Sequence, residues 1–134
     1  MIVIAYLAVL TAFLIIDLVW IGLVVLDYYQ TTIGPMMREQ PALLWAAGFY
    51  LLYAAGIVRL AVQPALQAAS ARPALINGAV LGALAYGTYT VTNYSILNGW
   101  TIGLVVSDTL WGAALTATSA ALGYLAAAAW RRRG

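Results

Sequence analysis

Two carboxylates stand where an apolar chain should carry none. Asp17 interrupts the run from Ile2 to Leu26, and Asp108 interrupts the run from Trp100 to Trp130. Each is followed by tryptophan three residues on, in Asp17-Leu-Val-Trp20 and Asp108-Thr-Leu-Trp111, so on a helix carboxyl and indole share a face. Such groups can hold or pass a proton, or pair with a cation. An ionised aspartate at the centre of a membrane helix costs roughly 2.5–3.5 kcal/mol on insertion scales. The arginines lie at 38, 59, 72 and 131–133, at neither aspartate's depth, and there is no lysine. Each aspartate must therefore be protonated, satisfied by Tyr, Trp, Asn or Thr donors, wetted by a cavity, or paired with a bound cation.

The spans position these groups. A membrane-crossing helix needs about 20 mainly apolar residues. Four segments qualify, at 2–26, 41–62, 73–94 and 100–130, with Pro41 acceptable in a first helical turn. Pro64 breaks the second pattern and Asn98-Gly99 marks a turn between the last two. The 27–40 stretch reads as a loop, with Asp27, Arg38 and Glu39 solvated. The first segment has no basic leader and no small-residue cleavage site after it, so it is expected to stay as a span rather than act as a signal peptide. The expected fold is an all-α integral membrane protein, an antiparallel four-helix transmembrane bundle forming a single domain. Arg59, Arg72 and Arg131–Arg133 fall on one side and only Arg38 on the other, which implies both termini in the cytoplasm. Trp45, Trp100 and Trp130 fall near span boundaries, as interfacial residues do.

With that topology both aspartates lie roughly 12–15 Å below the outer surface at 1.5 Å per residue. The other helices bring polar and aromatic groups to the same layer. Tyr50 and Tyr53 lie there on the second helix; Tyr86, Tyr89 or Thr90, and Asn93 share a face of the third. Tyr6, Phe13, Asp17 and Trp20 form one stripe of the first. Asp17, Trp20, Tyr50, Tyr53, Tyr86, Tyr89, Asn93, Asp108 and Trp111 are thus expected to face inward as a candidate ligand-binding set. The same residues read equally as a packing layer, since interhelical hydrogen bonds in membranes contribute about 0.6 kcal/mol each. Gly78-Ala-Val-Leu-Gly82 reads as a close helix contact.

Composition closes off other functions. Of 134 residues, 65% are hydrophobic and 7% charged, far too apolar for a soluble domain of this size. The absence of cysteine and histidine excludes disulfides, thiolate sites, zinc enzymes and Cys or His nucleophiles. The net charge of +2 comes from the terminal arginine run and is no nucleic-acid footprint. No metal and no cofactor are expected, because no phosphate loop, dinucleotide fingerprint or nucleophile elbow is present.

The chain resembles the bacterial membrane proteins grouped as domain-of-unknown-function family 2177. The resemblance rests on Asp17-Leu-Val-Trp20-Ile-Gly22, Phe49-Tyr50-Leu-Leu-Tyr53-Ala-Ala-Gly56, Ala85-Tyr86-Gly87-Thr88-Tyr89, Thr92-Asn93, Gly99-Trp100 and Asp108-Thr-Leu-Trp111-Gly112. It implies a four-span protein of the bacterial inner membrane and supplies no activity. The family pattern has an aspartate directly after the tyrosine corresponding to Tyr89, where this chain has Thr90.

Two functional expectations follow. The first is a protein that binds a lipid-like or amphipathic ligand, a cation being one option, in an outer-half intramembrane pocket lined by Asp17 and Asp108. A catalytic version, analogous only in site chemistry to sterol-isomerase-type bundles, would use one aspartate as acid and the other as base. The second is an accessory subunit of a larger membrane complex, with no ligand of its own. The expected partners are membrane lipid and a second copy or larger assembly.

Overall fold

The computed structural model describes residues 1–134. Four long helices make up the chain: α1, Ile2–Met36; α2, Leu43–Ala68; α3, Arg72–Ile96; and α4, Ile102–Arg133. No strand is present. All four are long and apolar enough to cross a bilayer. The connections are short, so successive helices run antiparallel and form a four-helix membrane bundle.

α1 corrects the expected end at residue 26 and the expected loop at 27–40. Its α-helix, Ile2–Trp20, passes through a π-turn at Ile21–Val25 and resumes over Leu26–Ile33, ending in a 3₁₀ turn at Gly34–Met36. The helix takes in 27–36 of that stretch, while Arg38 and Glu39 lie beyond it and are exposed, as expected. Thr31 Oγ1 donates to the Asp27 carbonyl (2.8 Å), and the Tyr28 and Thr101 hydroxyls share a hydrogen bond of 3.1 Å.

α2 likewise outruns its expected stop at residue 62. Pro64 has no N–H for the carbonyl four residues earlier, that of Leu60. A π-turn at Val58–Val62 widens the helix just before the proline, and Asn77 Nδ2 of α3 donates to the Leu60 carbonyl at 3.1 Å. α2 ends where Ala69 adopts a left-handed backbone, φ 50°, with Ser70 N–H donating to the Ala65 carbonyl (3.1 Å).

α3 and α4 form the most extensive helix contact. A Cβ at Gly78 would lie 2.8 Å from Ala117 Cα, and Gly82 rests directly on the carbonyl of Gly112. Side chains at these points would separate the backbones. α1 packs along the other side of α4, where Ala5 and Val9 meet Gly123. The alanine-rich half of α4 therefore contributes Leu115, Ala120 and Ala127 to the core. Along α2, Leu43–Ile57 packs on α1, whereas Val58–Ala68 packs on α3. That divergence leaves space between α2 and α3 in the half of the bundle farthest from the terminal arginines.

Candidate functional site

The space is a cavity of about 320 Å³, within the size range of small-molecule sites. All four helices line it. Phe13, Asp17, Trp20, Ile21, Val25 and Tyr29 come from α1, and Phe49, Tyr50 and Tyr53 from α2. Ala85, Tyr86 and Tyr89 come from α3, and Asp108 and Trp111 from α4. Phe49 on one side and Tyr89 on the other are 59% and 40% exposed, which places an opening between α2 and α3 on the lateral face. No arginine reaches the wall.

The two carboxyls are buried, Asp17 at 5% and Asp108 at 4% exposure, and each has its own donors. Asp108 accepts from Tyr29 (2.6 Å), Tyr89 (2.8 Å) and Thr90 (3.3 Å). Behind it Trp100 Nε1 donates to Thr90 Oγ1 at 3.0 Å, and the Tyr29 and Tyr89 hydroxyls lie 3.2 Å apart. Asp17 accepts from Tyr50 (3.1 Å) and from Trp111 Nε1 (3.2 Å). The two Asp-x-x-Trp motifs therefore interlock unequally: the indole of the second serves the carboxyl of the first. Trp20 stacks on Trp111, with ring centroids 4.2 Å apart and planes 10° from parallel. Phe13 contacts Tyr50 and Tyr53 at 5.5 and 5.4 Å, completing an aromatic wall. Tyr53 shares a hydrogen bond of 2.9 Å with Thr116, which fixes its ring on α4.

Of the residues singled out in the sequence, Asp17, Trp20, Tyr50, Tyr53, Tyr86, Tyr89, Asp108 and Trp111 meet in this cavity. Asn93 does not. It shares the helix face of Tyr86 but sits in the last turns of α3, beyond the cavity, and is half-exposed. Tyr29 and Phe49 belong to the lining and were not singled out for it. Trp100, read as an interfacial residue, is instead buried against Thr90, while Trp45 is 83% exposed near the start of α2, as an interfacial residue would be. Thr90 is fully buried and bonds both Asp108 and Trp100, so it belongs to this polar layer.

The arrangement combines two acidic groups, hydroxyl and indole donors, and π faces in a cavity open on the lateral face between α2 and α3. That chemistry suits a cation with an apolar body. The model of a family described as predicted membrane protein (DUF2177) matches residues 2–125, which include every cavity residue. No curated protein and no solved structure matches the chain significantly.

Proposed function

This chain belongs to the DUF2177 family of predicted membrane proteins, and we propose that it binds an amphipathic, cationic, lipid-like molecule within the bilayer. The observation that carries the proposal is a pair of buried carboxyls on one aromatic cavity whose wall contains no basic residue. A cation would supply the charge the cavity walls lack, and Trp20 and Trp111 offer a stacked aromatic surface beside Asp17. The lateral opening between Phe49 and Tyr89 supports entry from lipid, with an alkyl chain left in the bilayer. The membrane in this proposal is the bacterial inner membrane, with both termini cytoplasmic and the cavity in the outer half.

The test is a titration of the protein in lipid nanodiscs with a single-chain trimethylammonium amphiphile, read by tryptophan fluorescence. A saturable response is expected, absent with the alcohol of the same chain length. Asp17→Asn should weaken it about tenfold, or about 1.4 kcal/mol, with helix content unchanged. Equal responses to amphiphile and alcohol, or an unaffected Asp17→Asn, would refute the proposal. The competing reading, an accessory subunit, would show itself in native mass spectrometry as a stoichiometric larger partner.

A further inference from the structure

The opposite end of the bundle carries a second amphipathic feature. A chamber of about 530 Å³ lies between the start of α1, the last turns of α2 and the end of α4. Arg59, Gln63, Gln67 and Arg131 supply its polar wall. An apolar groove of about 310 Å³ adjoins it, sharing Ile2, Arg59 and Gln63 and running between α1 and α2 past Val3, Tyr6, Ala55 and Val58. The two arginines are engaged only by neutral groups: Arg59 Nη1 donates to Gln63 Oε1 and Arg131 Nε to Met1 Sδ, each at 3.2 Å. The four acidic residues are all elsewhere, Asp17 and Asp108 in the cavity and Asp27 and Glu39 towards the opposite end. The arginine charge at this end therefore has no acidic side chain beside it. Arg59 is exposed on α2, one turn before Gln63, and a side chain of this length can follow a helix with its charge directed towards a headgroup.

We propose that this end is a specific site for one anionic phospholipid, its phosphate-containing headgroup between Arg59 and Arg131 and one acyl chain in the α1–α2 groove. Charge complementarity selects the headgroup, and continuity of the polar chamber with an apolar groove selects a lipid over a free anion. The site is separate from the aromatic cavity and does not depend on what that cavity binds.

Native mass spectrometry of the delipidated protein, titrated with phosphatidylglycerol, phosphatidylcholine of the same chains, or inorganic phosphate, tests it. The expected result is one retained phosphatidylglycerol, preferred about tenfold over phosphatidylcholine. Arg59→Gln with Arg131→Gln should abolish the preference. Arg72→Gln with Arg133→Gln removes the same charge from the same end outside the chamber and should leave it intact. Ala55→Leu, which narrows the groove while keeping both arginines, should weaken phosphatidylglycerol binding even if the double arginine variant fails to fold. Equal losses in the two arginine pairs would mean diffuse surface attraction and would overturn the site. Equal retention of phosphatidylcholine, displacement of the lipid by inorganic phosphate, or an unaffected Ala55→Leu would overturn it too. Asp17→Asn should bind phosphatidylglycerol normally, so a failure at one end is distinguishable from a failure at the other.

Discussion

The two aspartates are equally buried but differently held, and the difference assigns them different work. Asp108 gathers hydroxyls from α1 and α3 while itself sitting on α4, so one carboxyl ties three helices together. Trp100 fixes the third of its donors from behind. Asp17 has two contacts, to Tyr50 and Trp111, both longer than those Asp108 receives from Tyr29 and Tyr89, and leaves more of its hydrogen-bonding capacity free. Asp108 thus holds the layer together, and in the proposed binding Asp17 is the carboxyl that would meet the cation. Removing Asp108 takes the acceptor from the hydroxyls of Tyr29 and Tyr89 and leaves them only each other. Asp108→Leu should therefore cost about 1–3 kcal/mol in reversible unfolding from mixed micelles, and Asp17→Leu less than half as much. Equal losses at the two positions would remove the distinction.

At the scale of the helices, the sequence disclosed what depends on length and apolar continuity. Four spans are legible because no soluble core could absorb such runs, and the depth of Asp17, Tyr50, Tyr86 and Asp108 follows from counting along them. Tyr29 was not legible. It follows Asp17 by twelve residues, which in a regular α-helix turns it about 120° from that face. The π-turn at Ile21–Val25 takes up one extra residue and reduces the offset to about 20°, returning Tyr29 to Asp108. Nothing in hydropathy marks such a turn, and Asp27-Tyr28-Tyr29-Gln30 has the composition of a loop. Asn93 failed for the complementary reason: its face was right, but it lies two turns beyond Tyr86 and past the cavity. The close approach of α3 and α4 follows from glycine placement and has a direct test. A Cβ at Gly112 would enter the ring of Tyr86, whereas one at Gly56 meets nothing within 4 Å. Gly112→Ala should destabilise the fold by about 1–3 kcal/mol and displace a cavity wall. Gly56→Ala, at a half-buried helical position with room for the methyl, should stabilise it by about 0.5–1 kcal/mol. A neutral Gly112→Ala in micelle unfolding would mean that the two helices are less tightly packed than their backbones indicate.

Across the whole molecule, charge is sorted by end. Arg59, Arg72, Arg131, Arg132 and Arg133 belong to the end that holds the α2–α3 turn and the last turn of α4, while Arg38 at the other end stands beside Glu39. During insertion, arginine-rich connections are retained in the cytoplasm, so this asymmetry favours one orientation, arginine end inside. The same sorting would put the anionic-lipid chamber at the cytoplasmic leaflet, and the aromatic cavity in the opposite half. The chain has no cysteine, so a single introduced thiol reports its own side unambiguously. Gln40→Cys, in the exposed connection between α1 and α2, should react in intact cells with a membrane-impermeant maleimide. Gly134→Cys, exposed beyond the end of α4, should react only after permeabilisation. Three helices separate the two positions, so the bundle requires opposite sides, and the arginine asymmetry is the argument for which one faces outward. The reverse pattern would keep the four-span fold and turn the cavity towards the cytoplasm, whereas exclusive labelling of both from one side would contradict the crossing count itself.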